Sequence, residues 1–95
     1  MTSEKLSSVW DAISDTPEEA ANLRARAEVM RHIASVIEAH GWTQSEAGER
    51  AHITQPRMND LVNGRVSKFS LDALVQVASA LGLRFHIELD ELEAA

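Results

Sequence analysis

The chain has 95 residues, a net charge of −6 at pH 7 and no cysteine. This length allows one small domain, and the lack of cysteine excludes a disulfide framework and a cysteine-based metal site. The opening Met-Thr-Ser-Glu-Lys lacks the basic and apolar regions of a signal peptide, and no apolar run is long enough to cross a bilayer. We therefore expect a cytoplasmic protein without a membrane partner.

The first half of the chain predicts one long helix. Residues 1–15 form an N-terminal segment with a possible short helix over residues 6–13. Thr16 is a good N-cap, and apolar residues then recur at steps of three and four until Gly41, which predicts a helix over residues 17–40. The N-terminal half of that helix is expected to contact residues 6–13, a second subunit or another protein.

Residues 43–64 predict two short capped helices joined by a tight turn. Thr43 begins the first helix, and Thr54 begins the second, with Pro56 in its first turn and Gly64 as its stop. This spacing is typical of a helix-turn-helix DNA-binding motif.

The second of these helices has an apolar and a polar side. At about 100° per residue, one side carries Met58, Leu61 and Val62 and is expected to pack. The opposite side is expected to face outward and carries Pro56, Asn59, Asp60 and Asn63, with Gln55 and Arg57 at its flanks.

Residues 28–82 resemble the lambda-repressor-like helix-turn-helix domain of Xre-type regulators, through Gln44, Gln55 and the pair Asn63-Gly64. The resemblance implies a mainly α fold, a five-helix DNA-binding bundle over residues 16–82. Two departures stand out. His52 occupies the turn position that is usually Gly, so it must adopt positive φ or the turn must have another shape. Ala47 and Ala51 replace the usual Leu, which predicts a thinner core.

The resemblance also implies DNA contacts. Gln44 is expected to bind a phosphate and brace Gln55, whose amide would pair with adenine N6 and N7. Arg57 is assigned to guanine or a phosphate, and Pro56 to a thymine methyl group or to shaping the helix start. Asn59, on the outward side, is the expected second base contact. The complete predicted DNA-binding set is Gln44, Thr54, Gln55, Pro56, Arg57, Asn59, Asn63, Arg65 and Lys68, the last three as phosphate contacts.

The net negative charge of the chain argues against DNA binding, because Lys and Arg side chains normally neutralise the DNA phosphates. The charges are unevenly distributed, however. Residues 41–70 carry three acids and four bases, whereas both flanks are net negative. The motif is therefore the only third of the chain that is not acidic.

The last helix is predicted from Ser70 to Gly82, and the spacing of apolar residues along the sequence changes after it. Residues 83–89 alternate strictly between apolar and polar, which predicts a half-buried β-strand followed by an acidic tail to residue 95. A strand needs a partner, and the same strand of a second copy, antiparallel about an axis at His86, is the preferred one. Pairing within the chain near Val9 is the alternative. The residues predicted to join the homodimer are Arg84, Phe85, His86, Ile87 and Glu88.

A symmetric homodimer would read a palindromic operator in double-stranded DNA. The Ser-Val-Trp-Asp opening, the Thr-Pro-Glu-Glu-Ala helix start and the Thr-Gln-Pro-Arg segment resemble HigA-type antitoxins. That resemblance implies a repressor of its own operon, part of a toxin-antitoxin system, that neutralises a small basic ribonuclease toxin. The alternatives are a free-standing or phage-type Xre repressor and a protein-interaction module that does not bind DNA.

No catalytic pattern is present in the sequence. The four histidines form no His-Glu-x-x-His motif, and there is no Gly-rich phosphate loop or nucleophile elbow. We expect neither enzymatic activity nor a cofactor.

Overall fold

The computed structural model describes residues 16–92. Within that range the fold is mainly helical. Its elements are the helices α1 (Pro17–His40), α2 (Gln44–Ala51), α3 (Gln55–Val62) and α4 (Leu71–Ala80), with a single 3-10 turn, η1 (Val66–Lys68), between α3 and α4. The short helix predicted over residues 6–13 lies outside the described residues.

The described residues hold four α-helices rather than five, which corrects the five-helix expectation. The segment between α3 and α4 is too short for another α-helix. Gly64, at φ 72°, follows α3, and Ser70 already caps α4 by accepting a hydrogen bond from the Ala73 amide at 3.1 Å. Only one turn of 3-10 helix fits between those two residues.

Helix α1 has the bounds that its sequence predicts. The Thr16 hydroxyl accepts a hydrogen bond from the Glu19 amide at 3.0 Å, and Pro17 occupies the first helical position. Gly41 ends the helix in the left-handed conformation at φ 70°. None of the helices within residues 16–92 has both the length and the apolar character that a membrane span requires.

The core lies between α1 and the other helices. Phe69, Met30, Ile33, Met58, Leu61 and Leu74 are the largest side chains in it that are fully buried. Ala47 and Ala51 are also buried, and their small side chains allow α2 to approach its neighbours closely. Gly48 shows how close this approach is, because a Cβ added there would lie 2.9 Å from the Ile53 carbonyl oxygen. The thin core predicted under α2 is thus a place of tight backbone packing.

The turn between α2 and α3 depends on His52. This residue ends α2 with φ 63° and ψ 37°, and it is the one non-glycine residue among residues 16–92 with positive φ. Of the two alternatives that the sequence leaves open, positive φ at His52 or a turn of another shape, the structure has the first. The left-handed region is unfavourable for a side chain with a Cβ, so His52 stores strain in the turn.

We expect His52→Gly to raise the free energy of unfolding by about 0.5–1 kcal/mol, because glycine adopts positive φ without that strain. Urea denaturation measures the change. Gly41→Ala is the reverse control: it has φ 70° and no atom within 4 Å of the added Cβ, so strain alone should destabilise it. A less stable His52→Gly protein would contradict the assignment of strain.

The C-terminal segment differs from its prediction. Residues 83–92 have no regular secondary structure, so the strand predicted over residues 83–89 is not supported. A strand requires a hydrogen-bonded neighbour, and none of residues 16–92 provides one in the single chain. The proposed intrachain partner near Val9 lies outside the described residues. The first two apolar residues of the alternating segment, Leu83 and Phe85, instead pack against the helical core.

Candidate nucleic-acid interface

Both helices of the motif begin at the predicted caps. The Thr43 hydroxyl accepts a hydrogen bond from the Glu46 amide at 3.1 Å, and Glu46 Oε1 accepts one from the Thr43 amide at 2.9 Å. This reciprocal pair is a capping box. The Thr54 hydroxyl accepts from the Arg57 amide at 3.3 Å. Thr54, a predicted DNA contact, therefore fixes the start of α3.

Helix α3 has the two sides that its sequence predicts. Met58 and Leu61 are buried in the core, whereas Gln55, Pro56 and Asn63 are exposed. The start and end of α3 are thus open to a ligand. No other side chain among residues 16–92 forms a hydrogen bond with the Gln55 amide group, so its donor and acceptor both remain available.

The partner of Gln44 is Asn59 rather than Gln55. Asn59 Nδ2 donates to Gln44 Oε1 at 3.1 Å, which joins α2 to the middle of α3. The bracing of Gln55 that the resemblance implies is absent from this structure. The reason is geometric: Gln44 is half-buried beside Asn59, while Gln55 is exposed at the first position of α3.

Asn59 is the centre of a polar network on α3. Its Oδ1 accepts a hydrogen bond from Arg65 Nη1 at 3.1 Å, and its backbone carbonyl accepts one from Asn63 Nδ2 at 2.8 Å. The same Arg65 nitrogen donates to Asp60 Oδ1 at 3.0 Å. Both ends of the Asn59 amide group are therefore engaged within the protein, which makes Asn59 a less available base contact than the sequence suggested.

Arg57 lies across the η1 turn. Its guanidinium carbon is 4.3 Å from the centroid of the Phe69 ring, and Nη1 donates to the Lys68 carbonyl at 3.0 Å. The predicted contact of Arg57 with guanine or a phosphate would compete with these interactions. Lys68 itself is exposed at the end of η1, as expected of a residue that meets a phosphate.

Arg26 holds the same turn from α1 and was not identified from the sequence. Its Nη1 donates to the Val66 carbonyl at 3.1 Å and to the Phe69 carbonyl at 2.9 Å. The Arg26 side chain is half-buried. In the sequence, Arg26 is only a basic residue beside the apolar stripe of α1. That pattern does not specify a partner 40 residues away. Two arginines therefore immobilise the loop after α3.

A second cationic group lies at the start of the motif. The Arg50 guanidinium carbon is 4.5 Å from the centroid of the Trp42 ring, and the His40 ring stacks on Trp42 with centroids 4.3 Å apart and an angle of 7°. Trp42 also packs against the core. Trp42 thus anchors the chain just ahead of α2.

The capped helix pair, the outward polar side of α3 and the fixed basic loop define a helix-turn-helix protein. Residues 12–90 match a family described as a helix-turn-helix domain, and the chain belongs to that family. Membership indicates a DNA-binding transcription regulator, a class that is typically not enzymatic. No match was found among curated proteins or solved structures. Within residues 16–92, no three His, Asp or Glu side chains are grouped so as to hold a metal ion.

Proposed function

We propose that this protein binds a specific double-stranded operator and represses its own operon. The supporting observation is the exposed start of α3 beside a loop that two arginines hold in place. Gln55 would read adenine in the major groove, with Pro56 against a thymine methyl group. Asn63, Arg65 and Lys68 would contact phosphates around the groove.

Binding to a labelled duplex from the protein's own upstream region, measured by fluorescence anisotropy over a range of salt concentrations, tests this function. A reader of duplex DNA releases counterions, so its affinity should fall steeply as salt rises. A competitor duplex of random sequence measures specificity. A helix-turn-helix domain kept only for protein interactions would bind neither duplex, and that result would refute the proposal.

We propose further that the protein acts as a homodimer through residues 84–88. Ile87 is 64% exposed, and it follows the segment that packs on the core. Large apolar side chains in water favour association with a second surface. A two-fold axis would place two α3 helices on half-sites about one helical turn apart, which requires a palindromic operator.

The variant Ile87→Asp should shift the sedimentation of the protein from dimer to monomer, because it places a charge in the proposed interface. Leu92→Asp is the matched control. Leu92 is even more exposed, at 94%, but lies outside residues 84–88, so this variant should remain dimeric. A wild-type monomer, or an Ile87→Asp protein that sediments as the wild type does, would contradict the proposed interface.

The protein is also proposed to be an antitoxin for a small basic ribonuclease. Asp90 and Glu91 are exposed in the tail beyond the proposed dimer interface, and a basic surface would complement them. Co-expression with a small basic protein encoded next to this gene tests the idea. A stable complex that relieves the toxicity of that protein is expected. The absence of such a neighbour, or of a complex, would favour a free-standing or phage-type repressor.

A further inference from the structure

Asp60 is an acidic residue on the side of α3 that the proposed function turns toward DNA. It follows Pro56 by four residues and precedes Asn63 by three, so it shares a helix face with these two exposed positions. Its side chain is 28% exposed. A carboxylate at this position is repelled by phosphates, and the net charge of −6 adds to that repulsion. Its presence therefore requires a compensating interaction.

Arg65 provides part of that compensation. Its Nη1 lies 3.0 Å from Asp60 Oδ1, and the same nitrogen donates to Asn59 Oδ1 at 3.1 Å. Asn59 is in turn tied to α2 through Gln44. The Asp60 carboxylate is thus held in one orientation with its charge partly balanced. Within residues 16–92, Oδ2 forms no hydrogen bond and remains free to accept one.

We propose that Asp60 is a specificity-determining residue whose Oδ2 accepts a hydrogen bond from the N4 amino group of a cytosine in the major groove. This inference rests on the proposed DNA binding. For this contact Asn59 and Arg65 are positioning residues, because they fix the carboxylate. Arg65 does so through Nη1 alone, so the rest of its guanidinium group is left for the proposed phosphate contact. Cytosine is the base whose major-groove edge presents a donor without an acceptor beside it.

The other bases fit a carboxylate less well. Guanine presents two acceptors, N7 and O6, and thymine presents the O4 acceptor beside a methyl group. Adenine offers the N6 donor but places the N7 acceptor next to it, an arrangement that suits an amide rather than a carboxylate. The carboxylate therefore both selects cytosine and disfavours the alternatives through repulsion between acceptors.

Selection from a duplex library with randomised half-sites tests the proposal. The wild-type protein, Asp60→Asn, Asp60→Ala and the control Asp72→Asn are each used to enrich bound sequences. Asp60→Asn keeps the side-chain shape and an oxygen for Arg65, so the fold is retained. Asp72 lies on α4, and its exposed side chain makes Asp72→Asn a control for the loss of one negative charge.

The wild-type protein should prefer cytosine by roughly tenfold at one position of each half-site. Asp60→Asn should transfer that preference to adenine, Asp60→Ala should abolish it, and Asp72→Asn should leave it unchanged. A purely structural role for Asp60 would not change the identity of the preferred base. If the wild type enriches an operator whose positions do not respond to Asp60, this inference alone is wrong. If the wild type enriches no sequence, the proposed function fails with it.

Discussion

Replacing Phe69 with alanine is expected to lower the free energy of unfolding by about 3–5 kcal/mol. The ring is 1% exposed and lies at the junction of η1 and the core. Its loss leaves a cavity and also removes the face on which the Arg57 guanidinium rests. Because a small domain has only about 5–15 kcal/mol of stability in total, this single change brings the protein close to unfolding.

Urea denaturation of Phe69→Ala and Phe69→Leu separates the two contributions. Leucine refills most of the cavity and should cost less than about 1.5 kcal/mol, but it offers no ring to Arg57. Loss of stability in Phe69→Ala of less than about 1 kcal/mol would show that the ring does not anchor the loop, since truncation of a buried aromatic side chain costs far more.

Gln55→Ala should weaken operator binding by about 1–3 kcal/mol, or roughly 5- to 150-fold, through the loss of a paired contact with adenine. The folded state should be unaffected, because the Gln55 side chain is exposed and makes no hydrogen bond within the described residues. Affinity for random duplex should remain the same, because base contacts contribute to specificity rather than to phosphate neutralisation.

Lys68→Ala is the matched control for Gln55→Ala. Lys68 is a proposed phosphate contact, so its removal should weaken binding to operator and random duplex alike. It should also reduce the slope of log affinity against log salt concentration by about one. Anisotropy titrations of both variants on both duplexes distinguish the two patterns. If Gln55→Ala followed the Lys68→Ala pattern, Gln55 would not be a base-reading residue.

Local signals made the helices predictable. Thr16, Thr43 and Thr54 each accept the amide hydrogen bond that their positions in the sequence suggest, and Gly41 and Gly64 have the positive φ of helix stops. Such caps depend on residues three or four positions apart, which a sequence displays directly. The two sides of α3 were predictable for the same reason.

Contacts between distant elements were not predictable in this way. Arg26 meets the Phe69 carbonyl across 43 residues, and Gln44 meets Asn59 across 15, and neither pairing follows from a helical period. The alternation of residues 83–89 predicts a strand, but in the structure Leu83 and Phe85 pack against the helical core instead. A period of two gives the exposed and buried positions without identifying the surface that covers them.

The most direct test of DNA binding through α3 is a footprint of the purified protein on its own upstream region. We expect protection of two half-sites, with centres about one helical turn apart on one face of the duplex. At the same protein concentration, the variant Gln55→Ala should protect both half-sites less than the wild type does. Uniform protection along the duplex, or no protection at low salt, would contradict sequence-specific recognition by a symmetric pair of α3 helices.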